Sequence, residues 1–325
     1  MTTIIGTGEV GALHSREELE EMQRLPLQRK IQITTARIIE WYQHYDGKVY
    51  VAFSGGKDST VLLDIVRRIY PDVPAVFSDT GLEFPEVREF VKSCENVTIV
   101  RPEMNFRKVI EVYGYPVVSK RVADTVEYGH KPGSFRWKEL HGEIMRSNGT
   151  PSEFNCEKWC YLLDAPFKVS SRCCTIMKKQ PMKKYSKETG RVPIIATMAN
   201  ESRSRRATWL RMGCNAFSGK KPSSQPMSFW TEEDVLEYLY TYQVPYASVY
   251  GEIVRTDRGG GWTTTGEKRT GCVFCAFGAH LEKAPNRFQR LKITHPKLWD
   301  YCMRPWEEHG LGMRQVLEYI GIPVE

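Results

Sequence analysis

The sequence predicts an α/β fold in which a parallel sheet carries helices on both faces. Residues 49–53 (VYVAF) form a continuous apolar block, and from Val61 onward apolar residues recur at intervals of three and four. The block is typical of a strand buried on both faces, whereas the wider spacing is typical of one face of a helix. This alternation of short apolar runs and amphipathic runs repeats along the chain, and such an order favours a parallel sheet.

The individual elements follow from the same patterns. Strands are predicted over 49–53, 73–77, 97–100 and 192–198, and helices over 58–69, 85–93 and 106–113. Residues 15–45 are expected to form one or two further helices, because Ser15 and Glu18 occupy the positions of a capping box. Thr231 opens another capped helix. Between about 115 and 172, glycines, prolines and asparagines interrupt both patterns, so an insertion of short helices and loops is expected.

The composition is that of a soluble globular enzyme: of 325 residues, 41% are hydrophobic and 26% are charged. No apolar run approaches the roughly 20 residues that span a bilayer. The first residues lack a basic segment followed by an apolar one, so no signal peptide is expected and we expect a cytoplasmic protein. In a reducing compartment, the nine cysteines favour metal or redox chemistry over a disulfide framework.

Positive charge is concentrated in one segment. The net charge is +7, and residues 172–211 contain eleven Lys or Arg against two Glu. Such a surface fits a polyphosphate and also a nucleic-acid partner, for which exposed aromatic residues such as Trp209 and Trp262 would be suited. The alternative for Lys183, Lys184 and Lys187 is an ordinary solvated helix face. The alternative for Trp209 is a place in the core.

A glycine turn, SGGKDS at 54–59, joins the first predicted strand of the sheet to its helix. Unpaired N–H groups and the positive end of the helix dipole attract anions at such a turn, and Lys57 adds a full charge. Gly55 and Gly56 would remove Cβ atoms where the backbone approaches a ligand. Asp58 or Ser59 is expected to cap the helix. The alternative is a tight connection whose glycines serve only the backbone geometry.

This turn and the strand that follows it resemble motifs of known families. SGGKDS matches the S-G-G-x-D-S signature of the PP-loop ATP pyrophosphatases, and residues 78–86 (SDTGLEFPE) resemble the D-T-G-x-x-F-P-E segment of the phosphoadenosine phosphosulfate reductase family. CCTIMKKQP at 173–181 and the E-S-x-x-R pattern at 201–205 resemble further segments of that family. The resemblance covers about 49–277. It implies a Rossmann-like, adenine nucleotide α-hydrolase-like fold that binds ATP and Mg²⁺.

The resemblance also implies roles for individual residues. Gly55, Gly56 and Ser59 would cradle the leaving pyrophosphate, and Asp58 or Asp79 would help to hold Mg²⁺. The residues implied in catalysis are Lys57, Asp58, Asp79, Lys178 and Arg205. The residues implied in nucleotide binding are Ser54, Gly55, Gly56, Lys57, Asp58, Ser59, Asp79, Thr80, Gly81, Glu201 and Ser202.

Three parts of the chain are predicted on this basis. They are N-terminal helices over 1–45, a PP-loop nucleotide-binding domain over 46–250 that contains the insertion, and a module over 251–325 with a C-x-x-C motif and helices.

Four cysteines have the spacing of a metal site. Cys173 and Cys174 are adjacent, and Cys272 and Cys275 form the C-x-x-C motif. In the adenylyl-sulfate branch of the reductase family, such a pair and a distant C-x-x-C bind a [4Fe-4S] cluster. A cluster is therefore expected here, with zinc and unliganded thiols as the alternatives.

The other cysteines are harder to assign. Cys214 could replace Cys173 or Cys174 as a ligand. Cys156 and Cys160 are expected either to form a second thiol pair or to be small core residues. Cys94 and Cys302 lie in helix-like patterns and are expected to be structural.

The C-terminal residues depart from the reductases, which carry a nucleophilic cysteine in a Glu-Cys-Gly-x-His tail. This chain has Glu308, His309 and Gly310 but no cysteine after Cys302. Because the reductase reaction needs that thiolate, sulfonucleotide reduction is not expected.

The leading hypothesis is therefore an ATP-dependent sulfur-transfer enzyme that adenylates its acceptor and releases pyrophosphate, similar to DNA phosphorothioation sulfurtransferases. The expected partners are ATP, a nucleic-acid or nucleotide acceptor and a sulfur donor protein, and a dimer is one option. One alternative is an adenylyl-sulfate or phosphoadenylyl-sulfate reductase whose nucleophile is Cys302 or comes from another chain. A second is a nucleotide-sensing or nucleic-acid-binding module without turnover.

Overall fold

The structure is a computed structural model that describes residues 4–5, 13–218, 221–256 and 260–325, with only the backbone at 4–5. The strands are β1 (Ile4–Ile5), β2 (Val49–Ala52), β3 (Ala75–Ser78), β4 (Val97–Val100), β5 (Val117–Val118), β6 (Met145–Arg146), β7 (Val192–Ile195), β8 (Asn215–Ala216), β9 (Ser223–Ser224), β10 (Ile253–Arg255), β11 (Trp262–Thr264) and β12 (Ala276–Phe277). The α-helices are α1 (Arg16–Arg24), α2 (Leu27–His44), α3 (Lys57–Ile69), α4 (Pro85–Ser93), α5 (Phe106–Tyr113), α6 (Lys120–Tyr128), α7 (Phe135–Leu140), α8 (Gln180–Thr189), α9 (Arg203–Met212), α10 (Glu232–Thr241), α11 (Arg287–Thr294), α12 (Pro296–Met303) and α13 (Met313–Tyr319).

The central sheet has the strand order β4-β3-β2-β7-β9-β8. Its first five strands run parallel, and β8 pairs antiparallel with β9 at the edge. Val51 pairs with Ala75 on one side and Ile194 on the other, so β2 lies inside the sheet and needs the fully apolar sequence seen there. The predicted α/β fold is confirmed.

The predicted elements agree closely with the structure. Helices α4 and α5 have the predicted bounds, and Ser15 and Glu18 form the capping box of α1. Strand β3 begins two residues later than predicted, after Pro74, and β7 ends at Ile195, three residues early. A loop and a 3₁₀ turn (Ala199–Glu201) follow β7.

The predicted cap of α3 is wrong. Helix α3 begins at Lys57 with Gly56 as its N-cap and no side-chain cap. The Ser59 hydroxyl turns back to the Gly56 carbonyl oxygen (2.9 Å) instead, and it also lies 3.0 Å from the Ser54 hydroxyl. The hydroxyls of Ser54 and Ser59 thus brace the turn from inside, and neither Asp58 nor Ser59 caps the start of the helix.

The insertion at 115–172 folds into short elements around one buried carboxylate. It contains α6, α7, β5, β6 and a 3₁₀ helix, Glu157–Asp164. The side chain of Glu139 is fully buried and pairs with Arg121 and with Arg136, the latter at 2.8 Å. An ion pair of this kind is strongly destabilising to break, because the remaining charge stays buried. Glu139 therefore ties α6 to α7.

The described residues form two apolar cores. One contains the N-terminal helices, the central strands and α10, with Trp41, Val51 and Trp230 among its fully buried residues. The other contains the insertion and the C-terminal helices, with Leu140 and Phe288 fully buried. The predicted domain boundaries remain a prediction. None of the described helices is long and apolar enough to cross a bilayer.

A buried ion pair joins the N-terminal helices to the sheet domain. Lys30 on α2 is 2% exposed, and its ammonium lies 2.6 Å from Asp234 Oδ2 and 2.7 Å from the Gln23 carbonyl oxygen. Asp234 also accepts the backbone N–H of Thr231 (2.7 Å), so it caps α10 as well. One carboxylate thus holds two elements that are about 200 residues apart.

We predict that Lys30→Met lowers the free energy of unfolding by about 3–5 kcal/mol, because it leaves Asp234 buried and unpaired. Urea denaturation followed by far-UV circular dichroism would measure this. Arg29→Met is the matched control, since Arg29 has the same charge on the same helix but is exposed; its effect should stay within about 0.5 kcal/mol. Equal losses of unfolding free energy in both variants would show that the Lys30–Asp234 ion pair does not account for the effect.

Candidate active site

The Ser54–Ser59 turn lies at the carboxyl end of β2, beside the end of β3, where Asp79 begins the next loop. Both strands are parallel, so their ends meet at the same edge of the sheet. Ligands of open α/β sheets bind at this edge. The turn places the first N–H groups of α3 there, and the dipole of that helix adds positive potential.

The two glycines of the turn serve different purposes. Gly55 has a φ of +70°, and a Cβ atom there would lie 2.6 Å from Val91 Cγ2, so this glycine is required for the backbone geometry and for packing against α4. A Cβ atom on Gly56 would lie 3.3 Å from each of three hydroxyl oxygens, those of Ser54, Tyr250 and Thr270. The missing Cβ atom of Gly56 therefore leaves room on the polar side of the turn, whereas the missing Cβ atom of Gly55 leaves room for apolar side chains of α4.

The Lys57 side chain is buried within the site, at 4% exposure. Its ammonium donates to the Lys268 carbonyl oxygen (2.8 Å) and pairs with Glu232 Oε1 (3.1 Å). Its backbone N–H donates to the Tyr250 hydroxyl (3.1 Å), which in turn lies 2.6 Å from the Thr270 hydroxyl. The first N–H of α3 thus already faces an oxygen atom, as it would face a phosphate oxygen.

Asp58 has a carboxylate oxygen that is buried and lacks a hydrogen-bond partner among the described residues. Burial raises the pKa of Asp58 above its ordinary value, opposed by the charges of Lys57, Arg269 and Arg205, whereas Glu232 raises it further. An unsatisfied, desolvated carboxylate next to a cationic turn is a functional-site signature, because it costs stability.

The E-S-x-x-R segment positions Arg205 next to Asp58. Ser202 caps α9 by accepting the Arg205 backbone N–H (3.2 Å), and Glu201 forms an ion pair with the Arg205 side chain. Burial lowers the pKa of Arg205, and the charge of Asp58 opposes that effect. Glu201 and Ser202 therefore hold the arginine, and the arginine faces the turn.

The D-T-G segment is braced by its own carboxylates. Asp79 is 8% exposed, and its carboxylate pairs with Arg88 (3.2 Å) and Arg101 (3.3 Å). The Thr80 hydroxyl donates to Glu83 (2.6 Å), and the intervening Gly81 has a φ of +72° with open space around it. Both candidate Mg²⁺ ligands have an Oδ1 atom without a hydrogen bond among the described residues. Asp79 pairs with two guanidinium groups, whereas Asp58 Oδ1 lies 3.9 Å from the Lys57 ammonium.

The four predicted cysteine ligands line one small cavity of about 10 Å³. Its lining consists of Leu82, Phe106, Pro116, Cys173, Cys174, Met177, Lys178, Cys272 and Cys275. Burial raises the pKa of Cys173, Cys272 and Cys275, that of Cys275 to about 12, and the thiols raise one another further. Within the described ranges, no group of three or more His, Cys, Asp or Glu side chains could hold a metal ion as placed.

Lys178 lies at this cavity and not at the glycine turn. It belongs to a π-helical segment, Thr175–Lys179, that follows the cysteine pair. Burial by itself would lower the pKa of Lys178, but the thiols of Cys272 and Cys174 and the carboxylate of Glu83 outweigh it, so the pKa is raised. The ammonium therefore provides positive charge for thiolates. Irregular π segments of this type occur often at functional sites.

One segment, residues 268–275, connects the turn with the cysteine cavity. Its first residues contact Lys57 and Tyr250, its centre donates from Val273 N–H to the Leu82 carbonyl oxygen (2.8 Å), and its end carries the C-x-x-C motif. Sequence patterns assigned no role in the site to Glu83, Tyr250, Arg269 or Thr270, none of which belongs to the turn. Glu83, in the D-T-G-x-x-F-P-E segment, and Glu232, in the capped start of α10, do lie in segments that the sequence singled out.

The remaining cysteines lie outside the cavity lining. Cys214 is in the other core, near Trp209 and Arg37, and burial raises its pKa to about 11. Cys302 is fully buried on α12, and burial raises its pKa. Cys156 and Cys160 belong to the insertion.

The basic segment of the chain is only partly exposed. Lys183, Lys184 and Lys187 point to solvent on α8. Trp209, considered as an exposed aromatic residue, is 2% exposed and stacks on His14. Trp262 is half-buried and stacks with Arg255 at 3.8 Å.

Comparison with known proteins identifies the family. The model of the phosphoadenosine phosphosulfate reductase domain matches residues 48–123 and 150–275. The chain belongs to this family. The two matched segments contain the glycine turn, the D-T-G segment, the cysteine pair and the C-x-x-C motif, and the break between them falls in the insertion.

Several relatives are known. Two uncharacterized proteins of Methanocaldococcus jannaschii are each 25% identical, one over 282 residues (83% of this chain and 45% of the relative) and one over 313 residues (93% and 59%). The chain thus spans about half the length of these two relatives. An adenosine 5'-phosphosulfate reductase of Staphylococcus epidermidis is 24% identical over 217 residues, 66% of this chain and 70% of that protein. A crystal structure of phosphoadenylyl-sulfate reductase from Candida auris in a phosphate complex has 15% identity and a TM-score of 0.36, covering 73% of this chain and 92% of that one.

We predict that Tyr250→Phe loosens residues 268–275. The change removes the oxygen that accepts from the Lys57 N–H, and leaving that buried donor unpaired should cost about 1–3 kcal/mol. Amide hydrogen exchange measured by mass spectrometry should show faster exchange in this segment. Tyr246→Phe is the matched control, because the Tyr246 hydroxyl donates instead to the Gly251 carbonyl oxygen (3.1 Å). Unchanged exchange in Tyr250→Phe would contradict the proposed link.

Proposed function

We propose that the protein is an ATP-dependent sulfur-transfer enzyme. It splits ATP between the α and β phosphates, attaches the adenylate to an acceptor oxygen and releases pyrophosphate; sulfur then replaces the activated oxygen, which leaves with AMP. The observation that carries the proposal is that residues 268–275 bring the C-x-x-C motif and the glycine turn to one edge of the sheet. The turn proposed to bind ATP and the cysteines proposed to handle sulfur are thus linked by one segment of the chain.

The glycine turn would bind the pyrophosphate part of ATP. The backbone of Gly56 and the N–H of Lys57 face the polar side of the turn, and Lys57 and Arg205 supply positive charge. Donors fixed before the reaction stabilise the charge that develops on a leaving pyrophosphate. Ser54 and Ser59 act indirectly, since their hydroxyls brace the turn. Thr80 and Gly81 would lie beside the nucleotide.

Mg²⁺ would be held by Asp58 in this site. Oδ1 of Asp58 accepts no hydrogen bond among the described residues and lies 3.9 Å from the Lys57 ammonium. It is a hard oxygen ligand of the type that Mg²⁺ requires, and its desolvation disfavours an uncompensated charge. Asp79 is less suited to this role, because two arginines already pair with it. The ion would neutralise phosphate charge when bound.

An iron–sulfur cluster fits the donor set of the cysteine cavity. Cys173, Cys174, Cys272 and Cys275 are all soft sulfur ligands, and Lys178 would offset part of their negative charge. When bound, the cluster would supply redox or sulfur-handling chemistry. Zinc remains the alternative for the same four thiols.

The acceptor is proposed to be a nucleic acid or a nucleotide. The exposed lysines of α8 and the guanidinium–indole stack of Arg255 on Trp262 are groups that bind phosphates and bases. Trp209 does not contribute to this surface, because it lies in the core.

A sulfonucleotide reductase is the second candidate, and the similarity to the adenosine 5'-phosphosulfate reductase of S. epidermidis favours it. Its nucleophile would have to be mobile. Cys302 is fully buried with a raised pKa, so it is a poor nucleophile and cannot reach a bound substrate without unfolding α12. Sulfite release from either sulfonucleotide with thioredoxin, lost in Cys302→Ser, would favour the reductase. A binding module without turnover would release neither sulfite nor pyrophosphate.

We predict that ATP stabilises the wild-type protein and not the double variant Lys57→Ala, Ser59→Ala. Saturation to 100 times the dissociation constant should contribute about 2.7 kcal/mol, seen as a rise in Tm in a thermal-shift assay with Mg²⁺. Lys48→Ala is the control, because Lys48 is an exposed lysine just before β2. Equal protection of the double variant would place the nucleotide elsewhere.

We predict that iron binds at the cysteine cavity. Protein purified without oxygen should contain iron and absorb in the visible range, and Cys272→Ser, Cys275→Ser should lose both, because two of four thiolate ligands are removed. Cys94→Ser should retain wild-type iron, since Cys94 is on α4's C-terminal cap and not at the cavity. Wild-type iron in the double variant would refute the assignment, and zinc in its place would select the alternative metal.

A further inference from the structure

A cysteine and a histidine of the insertion form a pair outside the site described above. Cys160 lies in the 3₁₀ helix Glu157–Asp164, and its Sγ is 3.7 Å from Nε2 of His141, which follows α7. The thiol is half-buried and the imidazole is exposed, so both can be reached from solvent. A thiol in hydrogen-bond contact with an imidazole is the arrangement of an activated nucleophile.

The hydrogen bonds of His141 determine which ring nitrogen can act as a base. Nδ1 lies 2.8 Å from the Trp137 carbonyl oxygen. A carbonyl can only accept, so Nδ1 of the neutral ring carries the hydrogen and Nε2 presents its lone pair to Cys160. The indole of Trp137 also stacks on the imidazole at 3.8 Å and 20°. Trp137 thus fixes both the tautomer and the plane of the ring.

Contact with a histidine separates Cys160 from the other cysteines outside the cavity. Burial raises the pKa of Cys94, Cys156, Cys214 and Cys302, which keeps these thiols protonated and inert. No base contacts any of them among the described residues as His141 contacts Cys160. The geometry therefore distinguishes Cys160 from four residues of the same type in the same chain.

A cavity opens beside the residues that precede Cys160. It has a volume of about 340 Å³ and is lined there by Cys156, Lys158 and Trp159, whereas Cys160 and His141 are not among its lining residues. Trp159 also packs edge-on against His280, five residues after Cys275, with ring centroids 5.2 Å apart. The residue before Cys160 thus contacts the segment that follows the C-x-x-C motif.

We infer that Cys160 and His141 form a nucleophilic dyad that takes sulfur from a persulfide donor, an inference that rests on the sulfur-transfer function proposed above. His141 Nε2 accepts the Cys160 proton, and the thiolate attacks the outer sulfur of the donor persulfide, R–S–SH. A new S–S bond forms at Cys160 Sγ while the S–S bond of the donor breaks. The electron pair stays on the inner sulfur of the donor, which leaves as R–S⁻ and takes the proton from His141. The products are Cys160 persulfide and R–SH.

The dyad can be tested with glutathione persulfide, without ATP and under anaerobic conditions. Full-length protein is treated, alkylated with iodoacetamide and digested, and mass spectrometry measures the peptides that gain one sulfur atom. We expect loading at Cys160 well ahead of Cys94 and Cys156. His141→Ala should slow it by on the order of a hundredfold, the low end for loss of a general base, and added imidazole should restore part of the rate. Cys156→Ser is the matched control and should load Cys160 normally.

Loading of Cys160 no faster than of Cys94, or an unchanged rate in His141→Ala, would overturn the inference. If His141→Ala is slow and imidazole does not restore the rate, the histidine acts only structurally and the dyad is refuted. Because the assay contains no ATP, its outcome is separate from that of the proposed function. If Cys160 is loaded with sulfur but the protein releases no pyrophosphate from ATP, the dyad is supported and the proposed sulfur-transfer function is refuted. If pyrophosphate is released but Cys160 is not loaded, the dyad is refuted and the proposed function is not.

Discussion

The site depends on the burial of the Lys57 ammonium beneath the C-terminal segment. At 4% exposure, the charge needs oxygen partners, and it finds them in the Lys268 carbonyl and the Glu232 carboxylate. The first partner draws residues 268–275 across the end of the sheet, and the second draws the start of α10 to the same place. Once Lys268 is fixed, Cys272 and Cys275 follow within seven residues. The ammonium in the glycine turn thus helps to position the C-x-x-C motif, together with the hydrogen bond from Val273 to Leu82 and the pairing of β12 with β5.

The two carboxylates at the sheet edge, those of Asp58 and Asp79, differ in their effect on the stability of the fold. Asp79 forms ion pairs with two guanidinium groups, and these strengthen the fold of the D-T-G segment. Asp58 has a pKa that burial raises and a buried oxygen without a hydrogen bond among the described residues, so its charged form destabilises the ligand-free fold. Below the unfolded-state pKa the carboxyl is protonated in both states and the cost disappears; it grows as pH rises toward the folded-state pKa. Such local conflicts are expected where a ligand, not the protein, completes the site.

The sequence predicts the fold well because the relevant signals are local. Periodicity within ten residues defines β2, α3, α4 and α5, and capping residues define the starts of α1 and α10. The predicted cap of α3 is wrong because Ser59 binds back to Gly56 and Ser54. The first N–H of the helix is instead accepted by the distant Tyr250 hydroxyl. Tyr250 and Thr270 lie about 190 to 210 residues from the turn. No local pattern marks them, since long-range packing alone brings them there.

The nine cysteines of the chain also show that local sequence patterns do not reveal long-range contacts. Spacing grouped four of them, and these four do line one cavity. Spacing could not distinguish Cys156 from Cys160, because both lie in one short run. The structure separates them by their neighbours. Burial and the charge of Glu139 raise the pKa of Cys156, whereas Cys160 contacts His141, whose tautomer is determined by its hydrogen bond to a backbone carbonyl. The reactivity of a thiol depends on its proton acceptor and its access to solvent. Both are properties of tertiary contacts, so the chemistry of a cysteine has to be derived from the fold and not from its position in a motif.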